Sequence, residues 1–240
     1  MRKIKICAHR GFSWEYPENT LLAFKKAAEI GVDEIEMDVK FSKDKFPVIL
    51  HDEKVDRTTD GTGYIWNLNL KEIKKLDVGR WKDDKLKGEK IPTLEEAIEV
   101  IPENIDINLH TRTDKELIEK VIRILIGNGK IKKTYLAIDS SLVEIARRIY
   151  PDIRICNMGK QFDRPEDYIE ETKKCKAERL QFFTPSYKIT EELVERAHSY
   201  GVTVNVFYAN DTKTAEKYIK MGVDVILTDR PDLLIRLGGK

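Results

Sequence analysis

The chain has 240 residues, and its 43 Lys and Arg residues almost balance its 42 Asp and Glu residues, leaving a formal net charge of +1. This balance excludes a global field that would attract nucleic acid or an anionic membrane, and no apolar run is long enough to span a bilayer. Because no Gly/Ser-rich or Pro-rich linker interrupts the chain, we expect a single domain over residues 1–240.

Three cysteines, Cys7, Cys156 and Cys175, lack the CxxC spacing of a zinc site, and two of them lie within apolar strand patterns. We expect reduced thiols rather than a disulfide framework. The first residues hold no apolar run of signal-peptide length. These features predict a soluble, cytoplasmic protein with no stable membrane insertion and no nucleic-acid partner, and they leave its oligomeric state open.

Short apolar segments alternate with longer amphipathic segments along the whole chain, which is typical of parallel strands joined by helices. Strands are predicted at residues 3–8, 33–40, 104–110, 133–138, 153–157, 178–183, 202–207 and 224–228. Capping residues mark helix starts at Thr93 with Glu96, at Asp211, and at Asp229 before Pro231. Eight strand–helix units predict an α/β protein with the (β/α)8 TIM barrel fold.

One connection is much longer than the others. Residues 41–92, after the second predicted strand, are too many for a simple turn and include "DGTG" and "GRWKDDKLKGEK". We expect an insertion at about 52–92 over one rim of the barrel. Its aromatic and apolar residues would form a small core of their own or, alternatively, contact an acyl chain. These residues are Tyr64, Trp66, Leu68 and Trp81.

Polar side chains recur on the inward face of two predicted strands. In "EIEMD" the acidic residues share one face and the apolar residues the other, and "DINLH" places Asn108 and His110 inside the barrel in the same way. Buried acids must be paired, solvated or bound to a cation. Glu36 and Asp38 are therefore candidate ligands for Mg²⁺ or Ca²⁺, and a salt-bridge cluster is the alternative.

Two histidines lie at the ends of apolar segments. His9 ends the first predicted strand and precedes Arg10, and His51 follows the short segment "PVIL". A single histidine at such a position is more often structural. Two histidines near one rim, however, can divide the acid and base duties of a reaction.

The motifs together resemble a known family. "HRG" with "PENT", then "EIEMD", then "PVILHD" followed by "RTT" and "GTG", and finally "GVDVILTDRPD" are similar to the glycerophosphodiester phosphodiesterase family over nearly the whole chain. The resemblance implies a TIM barrel with a small insertion after the second strand and a divalent cation, Mg²⁺ or Ca²⁺, as cofactor. It also implies hydrolysis of small-molecule glycerophosphodiesters to glycerol 3-phosphate and an alcohol, a reaction of lipid and glycerol metabolism.

The same resemblance implies the roles of individual residues. His9 and His51 would be the acid/base pair, Arg10 the phosphate clamp, and Glu36 and Asp38 the metal-binding carboxylates. Gly11 is expected to bring the backbone close to the ligand. Residues 17–20, "PENT", are expected only to shape the turn and the start of the first helix.

Two places depart from the family pattern. The family's third-strand Glu-x-Lys pair reads Asn108-Leu109-His110 here, so we expect Asn108 as a neutral metal ligand and His110 as a substrate contact. The family tryptophan after the seventh strand is absent, and Phe207 and Tyr208 are expected to line the substrate site instead. Only capping and turn roles are expected for Asp139, Asn157, Thr184, Asn210 and Asp229.

Two other functions are compatible with these residues. A lysophospholipase D-type phosphodiesterase would use the same chemistry with an acyl chain on the apolar rim. A non-catalytic phosphate-ligand binding barrel is supported only by the third-strand changes. The residues do not decide whether the glycerol 2-hydroxyl or water attacks the phosphorus, nor which histidine is the base.

Overall fold

The computed structural model describes residues 4–112 and 114–238, and it describes Arg112 by its backbone alone. The strands are β1 (Lys5–Ala8), β2 (Glu34–Phe41), β3 (Pro47–Ile49), β4 (Asp106–Arg112), β5 (Thr134–Ile138), β6 (Arg154–Asn157), β7 (Arg179–Phe183), β8 (Thr203–Phe207) and β9 (Val225–Thr228). The α-helices are α1 (Leu21–Glu29), α2 (Leu70–Ile73), α3 (Leu94–Glu99), α4 (Lys115–Gly127), α5 (Val143–Ile149), α6 (Pro165–Lys174), α7 (Glu191–Ser199), α8 (Thr212–Lys220) and α9 (Pro231–Leu234).

Eight parallel strands of the described chain close into a barrel, because β1 pairs with both β9 and β2. Helices lie between the strands, so the predicted TIM barrel is confirmed. Each predicted strand has a counterpart whose ends differ by at most two residues, and residue 3 of the first prediction lies outside the described residues. The remaining strand, β3, runs antiparallel to β2 and lies outside the barrel.

The alternation within β2 follows the prediction. Ile35, Met37 and Val39 are buried in the apolar layer between the strands and the helices, while Glu36 and Asp38 are buried on the other face. The helix caps predicted at Thr93 and Asp211 are present, since each side chain accepts a hydrogen bond from the backbone of its helix. Helix α9 begins at Pro231 as expected, but its N-cap is Arg230, so the capping role predicted for Asp229 is wrong.

Charged groups fill the amino-terminal end of the barrel, away from the predicted site. Arg179 and Glu34 are both fully buried and form a two-pronged ion pair, with nitrogen–oxygen distances of 2.6 and 2.9 Å. The guanidinium of Arg179 also lies 3.6 Å from the centroid of the Tyr135 ring. Burial alone would raise the pKa of Glu34, but the charges and hydrogen bonds of Arg179 and Lys5 together outweigh burial and lower the pKa to about 2.

Residues 52–92 form a compact layer beside β3, with two short 3₁₀ helices and α2. Its apolar side chains pack against Val48 and Leu50, at and beside β3, in a separate small cluster that also contains Val55, Ile65, Ile73, Val78 and Ile91. Tyr64 and Trp66 stack on each other at 4.6 Å. The Lys82 ammonium donates a hydrogen bond to the Ser13 carbonyl at 2.8 Å, so this layer reaches the loop that follows β1.

All three cysteines are free thiols, as predicted, and Cys7 and Cys156 are buried. Burial raises the pKa of the Cys156 thiol to about 12. In the part of the chain that the structure describes, the helices are too short or too polar to traverse a bilayer.

Candidate active site

A cavity of about 270 Å³ opens at the carboxyl ends of the barrel strands. This is the end at which TIM barrels carry their functional groups. Its polar lining includes most of the residues that the sequence singled out: His9, Arg10, Glu36, Asp38, His51 and His110. Its apolar lining includes Met158, Phe162, Phe183, Phe207 and Leu227.

The loop after β1 is fastened to the carboxylates of β2. Arg10 has a positive φ of 56°, and its backbone N–H donates to Glu36 Oε2 at 2.8 Å. Asn19, which also has a positive φ, donates its side-chain amide to Asp38 Oδ2 at 3.0 Å. Thr20 caps α1 as expected, but the interpretation of "PENT" as only a turn is incomplete, because Asn19 contacts a candidate ligand carboxylate.

Gly11 is required by a contact within the fold. Its φ is +79°, and a β-carbon at this position would lie 2.7 Å from the backbone carbon of Ala23 in α1. Glycine therefore permits a close approach between this loop and the first helix, and the expected approach of its backbone to a ligand stays a prediction.

Each candidate acid/base histidine has a carboxylate at its Nδ1 atom. Asp229 Oδ1 lies 2.7 Å from His9 Nδ1, and Asp52 Oδ1 lies 2.6 Å from His51 Nδ1. A carboxylate there favours the Nδ1–H tautomer and fixes the ring orientation, which leaves Nε2 as the nitrogen that could exchange a proton with a ligand. His9 Nε2 lies 4.0 Å from Glu36 Oε2, towards the centre of the site.

Asp229 is held in its ionised state at this position. Burial would raise its pKa, but the hydrogen bond and charge of His9 and the hydrogen bonds from Asn210 and Ser13 together outweigh burial and lower the pKa to about 2. Ser13 and Asn210 donate further hydrogen bonds to its two oxygens, at 3.0 and 2.8 Å. The sequence motif "TDRPD" contains this residue, but only the barrel closure that brings β9 beside β1 reveals its partner.

The inward residues of β2 and β4 form a group that could hold a cation. Oxygen or nitrogen atoms of Glu36, Asp38 and His110 all lie within 4.8 Å of one another. Burial raises the pKa of Glu36 well above its usual range, and the neighbouring Asp38 charge adds to this effect. The pKa of Asp38 changes in the opposite direction despite burial of its carboxyl. Its pKa is lowered to about 2, chiefly by the charge of the Arg10 guanidinium beside it.

Asn108 lies deeper in the barrel than His110 and is level with Glu36. It is fully buried, and its Nδ2 lies 3.4 Å from Gln181 Oε1. Its Oδ1 has no hydrogen-bond partner among the described residues. A buried acceptor without a donor among the described residues, beside the buried carboxylates of Glu36 and Asp38, is a donor set that fits a hard divalent cation.

Phe207 and Tyr208, the aromatic residues predicted to line the substrate site, lie in different positions relative to the cavity. The Phe207 ring lines the cavity and lies 4.5 Å from the His9 ring, centroid to centroid. Tyr208 is 40% exposed and is not among the residues that line the cavity, although its ring contacts Phe207 at 4.9 Å. Phe183 stacks on Phe207 at 5.6 Å, and Phe162 meets Phe183 at 5.4 Å. This aromatic wall, Phe162, Phe183 and Phe207, was not predicted as a whole.

Comparison with known proteins identifies related chains. The model of the glycerophosphoryl diester phosphodiesterase family matches residues 9–233. A glycerophosphodiester phosphodiesterase of Caldanaerobacter subterraneus is 36% identical, with 98% of each chain covered. A glycerophosphodiester phosphodiesterase of Bacillus altitudinis is 28% identical, with 97% of each chain covered.

Solved structures of phosphodiesterases are also similar to this chain. An Oleispira antarctica phosphodiesterase in complex with the product sn-glycerol-3-phosphate superposes with a TM-score of 0.86 at 29% identity, covering 99% of this chain and 98% of the other. A glycerophosphodiester phosphodiesterase of Agrobacterium tumefaciens superposes with a TM-score of 0.84 at 28% identity, covering 99% and 100%.

Proposed function

The chain belongs to the glycerophosphoryl diester phosphodiesterase family, and from this premise we propose how its residues hydrolyse glycerophosphodiesters to glycerol 3-phosphate and an alcohol. It is an enzyme, and the alternative of a non-catalytic binding barrel is set aside by the family membership. The observation that carries the mechanism is the arrangement of two carboxylate-held histidines, His9 and His51, around one cavity that also contains Arg10.

Arg10 would bind the phosphate of the substrate. Its Nη1 bonds Glu18 at 2.7 Å and its Nε lies 3.5 Å from Asp38, so the guanidinium is fixed at the cavity wall. A planar guanidinium suits two phosphate oxygens, and a fixed one needs no reorganisation as charge develops on them. His9 and His51 would divide the two proton transfers, one from the attacking hydroxyl or water and one to the leaving alkoxide.

A divalent cation, Mg²⁺ or Ca²⁺, would be held by Glu36, Asp38 and Asn108, with His110 close enough to join them. When bound, such a cation neutralises charge on the non-bridging phosphate oxygens. His110 was predicted as a substrate contact, and its position beside Glu36, at 3.6 Å, fits a cation ligand equally well. The residues that bind cation and phosphate therefore lie on neighbouring strands and their loops.

The test is release of glycerol 3-phosphate from sn-glycero-3-phosphocholine, measured with and without exhaustive chelation. We expect hydrolysis that is lost on chelation and restored by Mg²⁺ or Ca²⁺. If hydrolysis continues at full rate without divalent cations, the proposed reaction stands and the proposed role of the cation is wrong.

A lysophospholipase D-type activity remains as a second candidate, and the aromatic wall favours it. Phe162, Phe183 and Phe207 extend from His9 to the surface, where Phe162 is 70% exposed. An acyl chain could lie on these rings. The aromatic residues of the insertion carry no such argument, because Tyr64 and Trp66 stack on each other and do not line the cavity.

We also propose that residues 52–92 belong to one catalytic unit with the barrel, since this segment contacts the β1 loop through Lys82. A cytoplasmic location is proposed on the three unpaired cysteines, which suit a reducing compartment. Immunodetection in separated cell fractions would test it.

A further inference from the structure

One guanidinium of the insertion joins two carboxylates at the edge of the active site. Arg57 bonds Asp52 through Nε at 2.6 Å and through Nη2 at 3.1 Å. The same group bonds Glu18 through Nη1 at 2.8 Å and through Nη2 at 2.7 Å. Each carboxylate is therefore held by two hydrogen bonds, although the Arg57 side chain is 44% exposed.

The two carboxylates lead to different functional groups. Asp52 accepts the hydrogen bond of His51 Nδ1, and Glu18 accepts that of Arg10 Nη1. Glu18 belongs to the loop after β1, whereas Asp52 follows β3. Arg57 thus connects a candidate acid/base residue with the candidate phosphate clamp, across two segments of the chain.

Charge balance shows what would change without Arg57. Two guanidinium groups, Arg10 and Arg57, face two carboxylates, Glu18 and Asp52, so the group of four is neutral. Without Arg57, Arg10 is the remaining partner of the Glu18 carboxylate among the described residues, and Glu18 competes with phosphate for it. Asp52 loses the contacts that fix its rotamer, and His51 loses a fixed acceptor.

Resting on the proposed phosphodiesterase function, we propose that Arg57 is a positioning residue that aligns His51 and Arg10 simultaneously through Asp52 and Glu18. It does not line the cavity, so it acts through these two carboxylates and not on the substrate. Lysine cannot replace it, because a single ammonium group lacks the two edges that hold two carboxylates at once.

The first experiment measures hydrolysis of sn-glycero-3-phosphocholine by Arg57→Ala, Arg57→Lys and Arg80→Ala. Arg80 is a matched control, because it is an exposed arginine of the same insertion paired with Asp84 at 3.0 Å. We expect both Arg57 variants to lose about 10- to 10²-fold in kcat/KM, as misplaced catalytic groups do, with unchanged thermal midpoints. Arg80→Ala should match the wild type.

Variants of the two carboxylates that Arg57 bonds distinguish a positioning role from a general structural role. Asp52→Asn should lower kcat with little change in KM, and Glu18→Gln should mainly change KM. Adding Arg57→Ala to the Glu18→Gln/Asp52→Asn double variant should cost less than threefold further, since Arg57 acts through these two residues. The proposal would be overturned if Arg57→Ala cost as much in the double variant as in the wild type, or if Arg57→Lys were as active as the wild type.

Two readouts do not depend on turnover. In ¹⁵N-imidazole NMR spectra, the hydrogen-bonded Nδ1–H signal of His51 should persist in Arg80→Ala and disappear in Arg57→Ala. Calorimetry should show weaker binding of glycerol 3-phosphate to Arg57→Ala. If the wild type hydrolyses no glycerophosphodiester, the proposed function fails, while these two measurements still support or overturn the positioning role of Arg57.

Discussion

Asp229 and His9 are 220 residues apart in the chain, yet Asp229 Oδ1 lies 2.7 Å from His9 Nδ1. Because β9 and β1 are neighbours in the barrel, the last strand supplies the group that orients the histidine of the first. The pair has a direct counterpart in Asp52 and His51, so each candidate acid/base histidine has a carboxylate at its Nδ1 atom.

Replacing Asp229 with asparagine should reduce kcat by at least about 10-fold, because the amide no longer enforces the Nδ1–H tautomer of His9 or stabilises its protonated form. Steady-state rates on sn-glycero-3-phosphocholine measure the effect. Asp211→Asn is the control, since Asp211 caps α8 and lies outside the cavity lining. Equal rates for the two variants would contradict the orienting role.

Removing the imidazole of His51 should cost at least about 10²-fold in turnover with little loss of stability, because a proton-transfer group is lost from a partly exposed position. The kcat of His51→Ala and its thermal midpoint are the two measurements. A His198→Ala variant controls for loss of a histidine elsewhere, since His198 lies on α7 and pairs with Asp224. Near wild-type turnover in His51→Ala would remove His51 from the mechanism.

Cation affinity should respond to the charge at residue 108. Asn108→Asp adds a negative charge beside Glu36 and Asp38, so the Mg²⁺ or Ca²⁺ concentration that gives half-maximal activity should fall. Calorimetric titration with Mg²⁺ provides a second readout that does not depend on turnover. If the wild type and Asn108→Asp bind Mg²⁺ with the same affinity, and circular dichroism shows an intact fold, residue 108 does not contribute to a cation site.

The Glu34–Arg179 pair should make folding stability depend on acid pH. The Glu34 pKa is about 2 in the folded chain and has its ordinary value of 4.5 in the unfolded chain, so its stabilisation is fully present above pH 4.5. It is lost as the pH falls from 4.5 towards 2, and the difference corresponds to about 3 kcal/mol.

Urea unfolding of the wild type and of Glu34→Gln at pH 6 and pH 3 measures this contribution. The variant should be less stable by about 3 kcal/mol at pH 6, where Arg179 is left buried without its counter-charge, and the gap should narrow at pH 3. Glu116→Gln is the control, because its ion pair with Lys45 is exposed. A gap that is constant with pH would contradict the prediction.

The aromatic wall should set the preference between substrates with and without an acyl chain. Phe162→Ala should raise KM for lysophosphatidylcholine several-fold, because an acyl chain loses apolar contact, and should leave KM for glycerophosphoethanolamine nearly unchanged. Trp66→Ala is the control, because Trp66 is another exposed aromatic residue and lies outside the cavity. Equal effects on both substrates would show that the wall does not contact an acyl chain.

The fold was predictable because strand and helix periodicities are local properties of the sequence. The inward positions of Glu36, Asp38 and His110 followed from strand alternation alone. His9, Arg10 and His51 followed from motifs at strand ends, and the cavity brings them together with the carboxylates.

The partners of these residues were not predictable in the same way. Asp229, Glu18 and Arg57 carry charges that a turn, a cap or a solvated surface explains equally well in sequence. Their contacts arise from barrel closure and from the path of the insertion, which depend on the whole chain. The contact that requires glycine at residue 11 was not predictable for the same reason, since its neighbour Ala23 belongs to the following helix.

The hydrogen bond between the Arg10 backbone and Glu36 links two binding events. A cation held by Glu36 and Asp38 would order the loop that presents the phosphate clamp, and a phosphate on Arg10 would order the same carboxylates. Such linkage is reciprocal, so each ligand should raise the affinity of the other by the same factor. Cation and substrate would then be mutual effectors, and the apparent cation requirement of the enzyme would fall as substrate approaches saturation.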